Sequence, residues 1–313
     1  MLHSVADPAT LTLSALRERY CHYALTIQNV CEDTVKVRLM YVNRFFDYLG
    51  PPETAAELFS RIDHKSLGAF LVDYAMRYGP GSRQNMYSAA RAFLHFAFEE
   101  RFMANDLSAL VPTVRRYRMS GLPKALPEAC ILTLEESIDR SDPVGRRDAA
   151  IICLLSTYGV RGIQVRRLRL ENIDWQNERI HFPAAKGGRP IEQHLTLKAG
   201  NRLTDYIVNG RPESPLPQIF LTTTTGAVLS DSSHLSKMIH RRLLRANVPV
   251  PDGVSRGTHG LRHAFAVRMT GKVPFKDVVD MLGHRDPSST LIYAKTDVQT
   301  LQQAALPWPG GLA

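Results

Sequence analysis

Between residues 258 and 293, four side chains that can handle phosphate stand in order: His259, Arg262, His284 and Tyr293. His259 and Arg262 are three apart, so on a helix they share a face. His284 follows Gly283, which can end a helix expected over 274–281. Tyr293 closes Ser-Ser-Thr-Leu-Ile-Tyr, a short amphipathic turn. A guanidinium, two imidazoles and a phenol make a phosphoryl-transfer site that lacks a second cation and an acid. Both stand upstream. Arg161 comes just after Gly159, at the expected end of a buried helix over 145–158. Lys186 precedes Gly187 and Gly188 at the tip of a hairpin expected from strands over 179–182 and 191–197. A Gly-Gly pair there permits positive φ and close backbone approach to a ligand.

Taken in order, Arg161, Lys186, His259-x-x-Arg262, His284 and Tyr293 resemble the tyrosine recombinase (phage integrase-like, Xer-like) family. The resemblance spans residues 125–313, and the N-terminal part is similar to that family's core-binding domain. It implies a mainly α fold with a small β-sheet: a helical, SAM-like core-binding domain followed by a catalytic domain. The implied activity is site-specific DNA recombination through a 3′-phosphotyrosyl intermediate, in a mobile-element integrase or a dimer resolvase. Tyr293 is then the nucleophile, Arg161 and Arg262 neutralise the phosphate, and His284 hydrogen-bonds it. His259 is the candidate base and Lys186 the proton donor to the leaving hydroxyl. No metal, ATP or other cofactor is implied. The partners would be double-stranded DNA bearing a recombination site and further subunits, two per site and four in all, with room for a partner recombinase. Rejoining to the same strand would instead make a type IB topoisomerase, and loss of catalysis an accessory DNA-binding protein. One position departs from the family: Gln164 stands where an acid is common.

Composition bears on the partner. Lys and Arg number 39 against 30 Asp and Glu, a formal charge of +9 and a pI near 9.5. Such a balance suits a polyanionic partner. The four cysteines, Cys21, Cys31, Cys130 and Cys153, have no metal-ligand spacing, and Cys153 lies in an apolar run expected to be core. A reducing compartment follows. With Asp7 and Pro8 where a signal peptide needs an apolar centre, and no long apolar run, a cytoplasmic, nucleoid-associated protein off the membrane is expected. His259-x-x-x-His263 has Gly260 where a zinc protease needs Glu, so His263 is read as structural and no metal is expected.

The elements that must position these residues fall into three stretches: a helical domain over 1–110, a basic linker over 111–124 and the catalytic domain over 125–313. Four helices are expected in the first, over 14–25, from a cap at Asp33 or Thr34 to 49, over 64–77, and from Ser82 onward after Gly-Pro-Gly breaks the chain. Their aromatics follow the helical period and are read as core. Arg83 and Arg91 are DNA-contact candidates, as are Arg115, Arg116 and Arg118 in the linker, which can follow a phosphate backbone. A basic amphipathic helix over 232–247 adds Lys237, Arg241, Arg242 and Arg245 as candidates for a DNA groove. A last short helix is expected over 298–305, with a tail that folds back or docks on a neighbouring subunit.

Overall fold

A computed structural model describes residues 11–114, 124–185, 188–229, 232–283 and 290–294. The chain divides into two compact units, 1–117 and 118–313. Lys186, His284, Arg115, Arg116, Arg118 and the expected helix and tail beyond 298 lie outside the described residues.

The first unit contains α1 (Leu13–Thr26), α2 (Glu32–Tyr48), α3 (Ala55–Ser60), α4 (His64–Arg77) and α5 (Pro80–Glu99). Thr12, rather than Ser14, caps α1, accepting the Ala15 N–H at 3.2 Å. The helix α2 begins at Glu32, ahead of both expected caps. α3 was not expected, because six residues are too few to display a helical period. The expected break falls at Tyr78 and Gly79, between α4 and α5, but α5 starts at Pro80 rather than Ser82: Gly79 is its N-cap and Pro80 sits in its first turn, where a missing N–H costs nothing. Leu16, Tyr20, Phe45, Met86, Phe93 and Phe96 form the centre of this unit's core. Tyr20 meets Phe93 and Phe96 at ring-centroid distances of 5.5 and 5.2 Å, so these aromatics are packing groups.

The second unit runs α6 (Glu128–Glu136), α7 (Pro143–Tyr158), α8 (Gly162–Arg166), β1 (Ile173–Asp174), β2 (Arg179–Phe182), β3 (Ile191–His194), α9 (Leu197–Asn209), α10 (Ser232–Arg245), α11 (Thr258–Met269), α12 (Phe275–Leu282) and α13 (Leu291–Ala294). The strands make one antiparallel sheet in chain order, with Phe182 opposite Ile191. Helices therefore dominate both units, with one small sheet among the described residues.

The central element of this unit is α7. Asp142 caps it by accepting the Gly145 N–H, and its apolar run from Ala149 to Leu155 is wholly buried. Strand β3 stops at His194, short of 197, because Thr196 caps α9 through the Ala199 N–H. Ala199, Leu203 and Tyr206 give α9 its buried stripe. Among the described residues no helix is long and apolar enough to cross a membrane.

Candidate active site

Two helices end on the same guanidinium. Helix α7 ends at Gly159 (φ +61°) and α12 at Gly283 (φ +60°), both left-handed. Arg262, on α11, donates to the Gly159 carbonyl at 2.7 Å and to the Leu282 carbonyl at 2.8 Å. Helix C-termini carry unpaired carbonyls and partial negative charge, so a buried cation is well placed there. Gly159 cannot carry a side chain, because a Cβ would lie 2.2 Å from the Phe265 ring.

Arg161 follows at once as the N-cap of α8. It is half-buried, and its charge acts on Arg262. Burial, with the Arg161 charge second, pushes the Arg262 pKa down to about 9; burial also lowers that of Arg161. Two partly desolvated cations facing each other are suited to an anion that neutralises both. Gln164 holds the Arg161 backbone: its Oε1 accepts the Arg161 N–H and its Nε2 donates to the Pro183 carbonyl, each at 2.9 Å. Pro183 follows β2, on the way to the hairpin tip that carries Lys186. The far side of that tip reaches the same place. A Cβ on Gly188 would stand 3.1 Å from the Gly283 carbonyl and 3.7 Å from the Arg161 guanidinium.

Tyr293, on α13, is 3% exposed and packs with Phe265, Ala266, Val278 and Leu282. Burial raises its pKa, and the Arg262 charge partly offsets that. Its hydroxyl meets Nδ1 of His263 at 2.5 Å. His263, expected to be structural, thus touches the Tyr293 phenol, a contact that the reading from sequence did not anticipate. Burial lowers the His263 pKa, with the His259 and Arg262 charges adding to it, so the ring is neutral near pH 7. His259 is exposed one turn earlier on α11, its ring centroid 6.4 Å from that of His263. Among the described residues no three His, Cys, Asp or Glu side chains come together to hold a metal ion.

Arg161, His259, Arg262 and Tyr293 thus come to one region, with both roots of the Lys186 hairpin and the residue before His284 beside them. The other phenols of this unit's core are engaged structurally. The Tyr158 hydroxyl donates to the His194 carbonyl and accepts the Thr196 N–H, both at 3.0 Å, and the Tyr206 hydroxyl accepts the Leu221 N–H at 3.3 Å. What sequence reading missed is the pairing of the half-buried His263 with Tyr293, which spacing along the chain does not signal.

The DNA-contact candidates separate. Lys237, Arg241 and Arg245 are exposed at successive four-residue steps along α10. Arg242 instead bonds Asp148 at 2.8 Å, as does Arg147 at 2.9 Å, in a nearly buried ion triad. In the first unit, Arg91 donates to the Val111 and Pro112 carbonyls, while Arg83 is half-buried near the start of α5. Arg91 and Arg242 are therefore engaged within their own units.

The sequence pattern of the phage integrase family matches residues 125–300, which hold Arg161, Lys186, His259, Arg262, His284 and Tyr293. A putative integrase/recombinase of Sinorhizobium fredii, y4rF, is 30% identical over 311 residues, 98% of this chain and 72% of its own length. The tyrosine recombinase XerD of Vibrio vulnificus is 30% identical over 241 residues, 75% of each chain. Among solved structures, XerH bound to palindromic difH superposes with a TM-score of 0.68 at 20% identity, covering 93% of this chain and 83% of that one. A lambda integrase dimer on a COC′ core site gives 0.68 at 15%, covering 93% and 81%. At such identities the superpositions bear on the fold, and the family rests on the sequence matches. The chain belongs to the phage integrase family and is a tyrosine recombinase, an enzyme that cleaves and rejoins DNA strands.

Proposed function

We propose that Tyr293 attacks a DNA phosphodiester held between Arg161 and Arg262, forming a 3′-phosphotyrosyl bond and releasing a 5′-hydroxyl. The observation that carries this reading is the meeting of Arg262, Arg161 and Tyr293 at the ends of α7 and α12. An anion seated there would relieve the mutual repulsion of the guanidinium groups and neutralise charge that grows on the non-bridging oxygens. An imidazole of the His259–His263 pair takes the phenol proton, Lys186 protonates the leaving 5′-oxygen, and His284 hydrogen-bonds the phosphate. The covalent bond conserves the phosphodiester energy, so rejoining needs no ATP, metal or other cofactor.

The substrate is a defined duplex site, and rejoining to a second duplex makes the reaction recombination, as integrase or dimer resolvase on the nucleoid. Lambda integrase was solved as a dimer on a core site and as a tetramer on a Holliday junction, which supports two subunits per site and four in the full assembly. Lys237, Arg241 and Arg245, with Arg115, Arg116 and Arg118, supply phosphate contacts.

Nicked suicide duplexes made from the DNA flanking the gene test the reading. The wild-type chain should become covalently trapped, and Tyr293→Phe should bind the same duplex without trapping. A covalent product in that variant, or DNA mapped to Tyr158 or Tyr206, overturns the assignment.

A further inference from the structure

We infer that His263 is the catalytic base for Tyr293, taking the phenol proton on Nδ1 as the oxygen attacks phosphorus. The inference rests on the proposed function and specifies which imidazole does the work. A phenol with 3% exposure has little access to bulk water, so a group that already touches it is placed to take its proton. His263 Nδ1 touches it, 2.5 Å from the hydroxyl, and the exposed His259 ring lies one turn away on α11.

The surroundings keep His263 ready to accept. His259 and Arg262 lie beside it on α11, Arg161 acts on Arg262 from the start of α8, and Tyr293 faces it from α13. The cations among them oppose a charge on His263 until the phosphate arrives, and burial acts in the same direction. With a phosphodiester between Arg161 and Arg262, those cations are neutralised and the imidazolium becomes tolerable. Proton transfer is thereby linked to substrate binding. In the step itself the Oη–H proton moves to Nδ1, the Oη–P bond forms, and the P–O5′ bond breaks as the 5′-oxygen takes a proton from its acid. On rejoining, the imidazolium returns its proton to the departing phenolate. His259 is left to the phosphate oxygens.

The test uses the full chain and nicked duplexes of the DNA flanking its gene. Once the wild-type cleavage position is mapped, the same duplex is made with a 5′-bridging phosphorothiolate. His263→Gln keeps an oxygen that can accept the hydroxyl's hydrogen bond but cannot take its proton. It should slow covalent trapping by about 10²-fold or more, the scale of losing general base catalysis. The phosphorothiolate should not restore it, since leaving-group protonation is intact, and the deficit should shrink as pH rises and the phenol ionises unaided. Trapping by His263→Gln within about threefold of wild type overturns the role, as does rescue by the phosphorothiolate or a deficit unchanged by pH. If His263→Gln does not fold, His263→Ala with added imidazole decides: restored trapping supports the role, and no restoration overturns it. A wild-type chain that is never trapped would count against the proposed function instead.

Discussion

The Gln164 side chain ties the Arg161 backbone N–H to the Pro183 carbonyl, with 2.9 Å on each side. The N-cap that presents the Arg161 guanidinium is thereby fixed to the end of β2. A neutral group that both accepts and donates is required by this geometry, because one partner is a donor and the other an acceptor. A carboxylate would satisfy the Arg161 N–H and confront the Pro183 oxygen with a negative charge.

Gln164→Glu tests the bridge. At 1% exposure the new carboxyl should keep its proton to go on donating to Pro183, so its folded pKa lies above the ordinary ~4.3. The sign follows: below pH ~4 the folded and unfolded forms are both protonated, and the variant should resemble wild type. As pH rises, the unfolded chain releases the proton first, and stability relative to wild type falls until the folded pKa is passed. Urea denaturation at several pH values reads this, and a difference constant with pH would refute the bridge. Gln164→Ala should lose about 1–3 kcal/mol at every pH, the cost of unpairing buried groups.

The Arg161–Arg262 pair predicts a conflict between stability and activity. Arg161→Ala removes a charge that opposes Arg262, so the melting temperature should hold or rise while cleavage slows by about 10²-fold. Sulfate should raise the melting temperature of the wild type more than that of the variant, since an anion between the cations binds the folded state. A variant that melts lower and responds equally to sulfate would show that the two arginines do not share an anion site.

Gly159→Ala should be costly out of proportion to its size. It forces a side chain onto a left-handed backbone and into the Phe265 ring, at roughly 1–2 and 1–3 kcal/mol respectively. Because Gly159 also supplies a carbonyl to Arg262, trapping should fall with stability. Thermal melting and suicide-duplex trapping measured together check it; a melting temperature equal to wild type counts against the close packing.

Much of this site is readable from the chain because its chemistry needs particular residue types in a particular order. Gly159 and Gly283 also mark their helix ends in the sequence, since each stands where an apolar run stops. Four features escaped for physical reasons. α3 is too short to show a period, and α9 begins in a stretch whose leading residues continue the strand pattern until Thr196 caps the helix. The His263–Tyr293 contact depends on how α13 packs against α11, and spacing along the chain carries no signal for that. Arg242 reads as one more basic residue of α10 until Asp148, far away in sequence, is seen beside it.

That last contact divides the basic face of α10 into two kinds of arginine. Asp148 is 3% exposed and balances both Arg147 and Arg242, so Asp148→Ala would leave two nearly buried cations unpaired. Breaking a buried ion pair from one side costs about 3–5 kcal/mol, and the variant should unfold at correspondingly lower urea. Arg242→Ala should likewise lower stability while leaving the salt dependence of DNA binding unchanged. Lys237→Ala, Arg241→Ala and Arg245→Ala should do the reverse, because these side chains are exposed on one side of the helix. Each should keep the melting temperature and reduce the slope of log affinity against log salt by about 1, the loss of one phosphate contact. Binding isotherms on one duplex at several salt concentrations, paired with urea denaturation, separate the classes. A changed salt slope for Arg242→Ala with unaltered stability would return that residue to the DNA-facing set and break the division.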